Sequence, residues 1–162
     1  IMEKQVVSGI AYARDEARVT LVGVPDVPGA AARAFEALAD AEVNVDMIMQ
    51  ARPRSEVERA NISFSVAQAD LDRALQALEA HHDQLGYEKI DTRKDLSKVS
   101  VVGVGMRSHA GVAHAMFSAL GERGISIDSI TTSEIKISVL IPSDATELAV
   151  RALHAAYELD AS

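Results

Sequence analysis

The stretch LVGV at residues 21–24 returns as VVGV at residues 101–104, and this repetition decides the fold. Gly23 and Gly103 are 80 residues apart, and Gly29 and Gly111 are 82 residues apart. The spacing of 82 also separates Phe35 from Phe117, Leu38 from Leu120 and Asp46 from Asp128. One two-residue insertion before the second glycine explains the change in spacing. The chain therefore consists of two similar small domains in tandem.

The composition indicates a globular protein with an aliphatic core. Hydrophobic residues make up 48% of the 162 residues and charged residues 25%, which is ordinary for a soluble domain. Aromatic residues make up only 4% and tryptophan is absent, so Ala, Val, Leu and Ile must fill the interior.

Charge and cysteine content exclude several function classes. The net charge of −8 argues against a nucleic-acid or anionic-membrane partner, because both require a basic face. Without cysteine there is no disulfide, thiolate nucleophile or zinc–thiolate site. No apolar run approaches the ~20 residues that span a bilayer, and residues 1–4 lack the apolar core of a signal peptide. We expect a cytoplasmic protein.

The first copy has the order β-α-β-β-α-β, which is the ferredoxin-like arrangement. Alternation of apolar residues predicts its strands, and helical spacing of apolar residues predicts its helices. The predicted strands are residues 18–24, 42–50, 62–66 and 87–91, and the predicted helices are residues 30–41 and 70–82.

The second copy lacks a fourth strand. Its predicted strands are residues 98–104, 125–131 and 134–141, and its predicted helices are residues 111–122 and 144–157. Residues 5–12 form a further predicted strand that has no place in the first copy. We therefore predict an α+β fold of two ferredoxin-like domains, in which the N-terminal strand completes the second sheet. Domain 1 is residues 15–95, inserted within domain 2, residues 1–14 plus 96–162.

No catalytic or metal-binding motif stands out. Gly103 and Gly105 are not followed by the third glycine of a dinucleotide-binding loop. The five histidines show no metal-ligand spacing. Asp46 and Asp128 occupy equivalent strand positions, which suits a carboxylate pair but suits two symmetric structural positions better. We expect no catalytic residue and no metal.

The loops before the first helix of each copy, residues 25–31 and 105–112, are the candidate binding sites. A glycine at a helix N-terminus lets a ligand approach the backbone, and the free N–H groups there attract a carboxylate. Asp26 can accept an ammonium at the same place. One loop thus complements both ends of an α-amino acid. The alternative, that Gly29 and Gly111 serve only capping and packing, stays open.

These residues resemble the ACT domains of aspartate kinase. The resemblance lies in D-x-P-G at residues 26–29 and V-N-V-D-M-I at residues 43–48, and it extends through residues 2–11, 105–112 and 133–141. It implies an enzyme that phosphorylates aspartate with ATP, the first step towards lysine, threonine, methionine and diaminopimelate. The kinase domain lies outside these residues, so this chain alone is expected to bind effectors without kinase activity. Some bacteria make this region as a separate subunit from an internal Met, and Met2 suits such a start.

The resemblance also implies two effector sites and no cofactor besides the allosteric ligands threonine and lysine. The implied threonine site comprises Asp26, Pro28, Gly29, Ala30, Ala31 and Gln50, with Ser126 and Ile127 from a matching strand. The second site, a candidate for lysine, comprises Met106, Arg107, Ser108, His109, Gly111, Val112, Asn44, Val45, Ser133 and Glu134.

The implied partners are a second copy of the chain and a catalytic subunit. The first ACT domain of one chain is expected to pair with the second ACT domain of another, and two regulatory chains to join two catalytic α subunits in an α2β2 enzyme. One alternative is a free-standing amino-acid sensor that regulates another enzyme or a transcription factor. Another is an enzyme on a ferredoxin-like scaffold, against which the lack of a convergent catalytic set argues.

Overall fold

A computed structural model describes residues 7–53, 58–103 and 109–157, with residue 109 described by its backbone only. The chain divides into two compact units. The first unit is Asp15–Lys94, and the second combines Ile1–Arg14 with Asp95–Ser162. Two strands, β1 (Gly9–Pro25) and β4 (Lys89–Val102), contribute residues to both units.

The first unit is a four-stranded antiparallel sheet with helices against one face. Within it the strand order is β2-β3-β1-β4, as the ferredoxin-like fold requires. Its elements after β1 are α1 (Ala30–Asp40), β2 (Asp46–Ala51), β3 (Arg59–Ala67), a 3₁₀ turn (Gln68–Asp70), α2 (Leu71–Ala80) and α3 (His82–Leu85).

The core of the first unit forms where α1 and α2 cover the sheet. Leu38 from α1 and Leu78 from α2 are fully buried against Leu21 and Phe64 from the strands. Phe35 meets Phe64 edge-on, with ring centroids 5.7 Å apart. Burial of each such side chain stabilises the fold by about 1.5–3 kcal/mol, so these apolar positions fix α1 and the loop that precedes it.

The second unit repeats the arrangement with the order β1-β4-β6-β5. The N-terminal strand completes its sheet, as predicted, and Ser8 N–H donates to the Val102 carbonyl at 2.7 Å. The α+β class with two ferredoxin-like domains is therefore confirmed. Its remaining elements are α4 (His109–Glu122), β5 (Ser129–Thr132), β6 (Lys136–Pro142), a 3₁₀ turn (Ser143–Ala145) and α5 (Thr146–Ala156).

The prediction of separate strands at residues 5–12 and 18–24 is wrong, because β1 runs without interruption over 17 residues. The strands predicted at residues 87–91 and 98–104 likewise join in β4, which has 14 residues. Asp15 and Asp95 sit within these strands at the same backbone angle, φ 59°. Aspartate tolerates this left-handed conformation better than most residues, so the strand changes its local direction without ending.

Two other predicted strands begin later than expected. The segment predicted as residues 42–50 forms β2 only from Asp46, and the segment predicted as 125–131 forms β5 only from Ser129. Met47 has φ 49° and the β2–β3 register shifts between Asp46 and Met49. Such a bulge interrupts regular pairing although the apolar alternation continues in the sequence. Within the described ranges, no helix has the length and apolar character needed to cross a membrane.

Candidate functional site

The first unit contains a cavity of about 280 Å³ at the end of β1, between the first turn of α1 and strands β2 and β3. Five residues of the predicted threonine site line it, although they come from two separate segments: Asp26, Gly29, Ala30, Ala31 and Gln50. Pro28 lies in the same turn and is exposed to solvent.

The loop between β1 and α1 is a tight turn that Gly29 makes possible. Val27 N–H donates to the Pro25 carbonyl at 3.0 Å, and Ala30 N–H donates to the Val27 carbonyl at 3.1 Å. Gly29 has φ 89° and ψ −6°, a left-handed conformation that residues with a side chain rarely adopt. The turn brings the chain into α1 with its first backbone N–H groups along the cavity.

The N-terminus of α1 has no side-chain cap. Within the described residues, the N–H groups of Ala31 and Ala32 have no acceptor, and both residues line the cavity. The guanidinium of Arg33 also lies here, since its Nη1 is 3.4 Å from where a Cβ on Gly29 would be. Free N–H groups, the positive end of the helix dipole and a nearby cation together favour an anion such as a carboxylate.

Asp26 supplies the opposite charge at the same cavity. Its Oδ2 lies 2.7 Å from Nε of Arg52, and its backbone N–H donates to the Glu58 carbonyl at 3.0 Å. The Asp26 side chain is 24% exposed, so a ligand can reach the carboxylate from solvent. The cavity therefore offers a donor set for a carboxylate and an acceptor for an ammonium.

Gln50 projects from β2, where it pairs with Ile62 of β3. It is exposed and lines the cavity, so its carboxamide is available to a polar ligand group. The two remaining residues predicted for this site belong to the second unit, just before β5. There Ser126 is exposed and Ile127 is half-buried against the core.

The second predicted site is only partly described. Met106, Arg107 and Ser108 lie outside the described residues, and His109 is described only as the first residue of α4. Gly111 is exposed and Val112 is buried in the first turns of α4. Asn44 and Val45 lie just before β2 in the first unit, where Asn44 is exposed and Val45 half-buried.

Ser133 and Glu134, predicted for the same site, are exposed in the hairpin turn between β5 and β6. Ser133 N–H donates to the Lys136 carbonyl at 2.8 Å. The Ser133 hydroxyl accepts from Lys136 N–H at 3.2 Å, so it closes the turn. The structure gives Ser133 this local role whether or not a ligand binds nearby.

Tyr157, at the end of α5, anchors the first turns of α4. Its hydroxyl donates to the Val112 carbonyl at 2.6 Å. Burial raises the pKa of the Tyr157 phenol to about 12, an effect that a hydrogen bond from the Met116 backbone partly offsets. This contact could not be predicted from the sequence, because a tyrosine at the end of a helix gives no indication of which carbonyl its hydroxyl will bond.

Two further features of the structure could not be predicted from the sequence. In the sequence, Arg52 is one of several charged residues in a loop, and nothing in that loop indicates that its side chain forms an ion pair with Asp26. The second unit holds a cavity of about 250 Å³ lined by Tyr12, Arg14, Glu147 and Arg151, among others.

Among the described residues, no group of three or more His, Asp or Glu is placed to hold a metal ion.

Comparison with known proteins gives consistent matches over the whole chain. The ACT domain family model matches residues 19–82 and 99–157. An aspartate kinase from Stutzerimonas stutzeri is 48% identical over 160 residues, and an aspartokinase from Mycolicibacterium smegmatis is 45% identical over 158 residues. These matches cover 99% and 98% of the chain, which spans 38% of the length of each relative.

Solved structures match the chain equally well. The regulatory subunit of aspartate kinase from Thermus thermophilus, in a ligand-free form, superimposes with a TM-score of 0.84 at 41% identity. A structure of aspartokinase alpha and beta subunits gives a TM-score of 0.83 at 45% identity. Each match covers 94% of this chain and 99% of the other chain.

Proposed function

Since the chain belongs to the ACT-domain family, as the tandem regulatory region of aspartate kinase, we propose that it senses threonine and imposes feedback inhibition on that kinase. Lysine is the proposed second effector, bound at the loop before α4. The proposal places the chain at the first step of aspartate-family amino-acid biosynthesis, where it controls phosphorylation of aspartate by ATP in the catalytic subunit.

The observation that carries the proposal is the cavity of about 280 Å³, whose lining includes both the first turn of α1 and the carboxylate-bearing Asp26. The free N–H groups of Ala31 and Ala32 suit an α-carboxylate, and the carboxylate of Asp26 suits an α-ammonium. Cavities that bind drug-sized ligands measure about 300–1,000 Å³, so this one suits a single small amino acid.

The side-chain end of the cavity supports threonine in particular. Gln50 offers a carboxamide to a ligand hydroxyl, while the small side chains of Ala30 and Ala60 leave room for a methyl group. A ligand with a long cationic side chain would need more space and a second acidic partner. Asp26 is the one acidic residue of the described cavity lining.

Inhibition requires that the ligand distinguish two arrangements of the enzyme. We propose that the first ACT domain of one chain pairs with the second ACT domain of another, so that Ser126 and Ile127 of the partner supply backbone groups to the threonine. Ligand binding then orders this interface. The arrangement with ordered interfaces would hold the two catalytic subunits of an α2β2 enzyme inactive.

Calorimetric titration of the chain with threonine, with lysine, and with each in the presence of the other tests the proposal. Saturable threonine binding that Asp26→Asn weakens, while the chain stays folded, is the expected result. Asp40→Asn is the matched control, because Asp40 is exposed at the end of α1 and lies outside the cavity lining. Threonine binding that lysine strengthens supports two coupled sites. A folded chain that binds neither amino acid, alone or with its catalytic subunit, would contradict the proposal.

A further inference from the structure

The carboxylate of Asp26 already has a cationic partner within the chain. Arg52, the first residue after β2, holds its Nε 2.7 Å from Oδ2 of Asp26. Because Asp26 also donates its backbone N–H to the Glu58 carbonyl, its position relative to the start of β3 is fixed by the main chain. The ion pair is therefore an addition to a loop that is already held in place.

A guanidinium at this position takes up one oxygen, Oδ2, of the carboxylate that a ligand ammonium needs. The ammonium of an amino acid and the guanidinium of Arg52 are both cations, so they repel one another when they share one carboxylate. Arg33, whose Nη1 lies 3.4 Å from where a Cβ on Gly29 would be, adds a further positive charge near the cavity. Asp26 therefore attracts a ligand ammonium less strongly while Arg52 stays paired with it, and the full attraction of the carboxylate is available only when Arg52 moves away.

Such an exchange is feasible because the ion pair keeps contact with water. The side chain of Arg52 is 54% exposed and that of Asp26 is 24% exposed. Ion pairs with this degree of exposure contribute little to stability, so Arg52 can leave Asp26 without unfolding the loop.

We propose that Arg52 is a built-in competitor for the ammonium position and sets the amino-acid concentration at which the cavity fills. The inference rests on the proposed function and deepens it, because it identifies the residue that tunes affinity at the same site. Arg52 is not needed to hold the ligand; it raises the concentration of ligand that is required.

Arg52→Gln tests the inference, because glutamine keeps a polar side chain without the positive charge. We expect the threonine dissociation constant to fall by about 1.5- to 5-fold, the range set by measured exposed ion pairs. Arg52→Lys keeps the competing charge and should stay close to the wild-type value. An analogue of threonine in which a hydroxyl replaces the amino group should not gain affinity from Arg52→Gln, since it brings no cation to Asp26.

The double variant Asp26→Asn/Arg52→Gln completes a thermodynamic cycle. Without the carboxylate there is nothing to compete for, so Arg52→Gln should have no effect in the Asp26→Asn background. Arg123→Gln is the matched control, because Arg123 also lies beside an exposed carboxylate, Glu122 at 3.7 Å, but in the turn just after α4 in the other unit. It should leave threonine affinity unchanged.

The two possible failures are distinguishable. If the wild-type chain binds threonine and Arg52→Gln weakens or does not change that binding, Arg52 is a ligand contact or a bystander and the inference is overturned, while the proposed function stands. If neither the wild-type chain nor Arg52→Gln binds any amino acid, the proposed function fails and the inference fails with it.

Discussion

At the residue scale, Gly29 meets several demands that no other residue type meets together. It adopts φ 89°, it precedes the first turn of α1, and it lines the cavity. Any residue with a Cβ pays a conformational cost of about 1–2 kcal/mol in the left-handed region. A Cβ here, on a residue that lines the cavity, would also contact Nη1 of Arg33 at 3.4 Å.

Gly29→Ala should therefore affect both stability and binding. We expect the free energy of unfolding to fall by about 1–2 kcal/mol because of the left-handed backbone. Threonine affinity should fall by about tenfold or more, since a hydrogen bond to a charged ligand group is worth about 1.5–3 kcal/mol. Denaturant unfolding and calorimetric titration measure the two effects separately.

The control for this variant is Gly121→Ala. Gly121 lies in α4 with open space around its Cα and no left-handed backbone, so alanine should leave stability unchanged or raise it by up to about 1 kcal/mol. Threonine affinity should stay the same. If a folded Gly29→Ala chain kept full threonine affinity, the N-terminus of α1 would not be part of the binding site.

The sequence could predict much of this cavity, because the signal was local. A glycine before a helix, with an aspartate three residues earlier, indicates a turn with free N–H groups and an acceptor. Gln50 came only from the resemblance to a known family, since a single exposed strand residue carries no signal of its own. The pairing of Arg52 with Asp26 could not be predicted, because several cations in a loop are equivalent until the loop folds.

At the scale of elements, the helices were the most predictable part and the strand junctions the least. The bounds of the four predicted helices agree with those of α1, α2, α4 and α5 within two residues, since each buries a periodic apolar face, whereas the short helix α3 was not predicted. The junctions within β1 and β4 are charged and exposed around Asp15 and Asp95. Neither side chain pattern nor composition shows that backbone pairing continues there, because main-chain hydrogen bonds need no particular residue type.

A hydrogen bond from Tyr157, the residue after α5, adds to the apolar packing between α5 and α4. Tyr157 packs against the core of the second unit, and its hydroxyl bonds the Val112 carbonyl in the first turns of α4. The contact sets where α4 begins relative to α5. Its loss should therefore loosen the first turns of α4 around Val112.

Tyr157→Phe should lower the free energy of unfolding by about 0.5–1.5 kcal/mol at neutral pH, the usual net worth of one hydrogen bond. The pKa of Tyr157 is raised to about 12 from its ordinary value of 10.0, so the folded state holds the phenol proton more tightly than the unfolded state. This contribution is fully present below pH 10 and is lost as the pH rises towards 12. Between pH 10 and 12, the free energy of unfolding should therefore fall less for Tyr157→Phe than for the wild-type chain.

Denaturant unfolding at a series of pH values measures this difference. Tyr12→Phe is the control, because Tyr12 is 54% exposed on β1 and its removal takes away no buried contact. A wild-type chain and a Tyr157→Phe chain with parallel stability curves between pH 10 and 12 would contradict the role given to the phenol.

At the scale of the whole molecule, the two units present equivalent apolar residues at equivalent sheet edges. Ile48 on β2 is 54% exposed and Ile130 on β5 is 39% exposed, and the two are 82 residues apart, which is the repeat spacing. Both β2 and β5 are edge strands of their sheets. An exposed apolar residue on an edge strand favours association with another edge.

Ile48→Lys should break the proposed pairing of two chains without unfolding either one. The side chain is exposed, so folding loses little when it changes, whereas a lysine on a paired edge brings a charge into a desolvated interface. We expect the variant to sediment as a monomer at concentrations where the wild-type chain is a dimer. Its threonine affinity should fall as well, because Ser126 and Ile127 of the partner would no longer reach the ligand.

Leu148→Lys provides the matched control, since Leu148 is 38% exposed and belongs to helix α5 rather than to a sheet strand. Sedimentation at several concentrations, with and without threonine, separates a weakened dimer from a lost one by mass action. A dimeric Ile48→Lys chain with wild-type threonine affinity would place the interface elsewhere. The cavity of the first unit would then bind its ligand without help from a partner, and inhibition would need another route from the effector to the kinase.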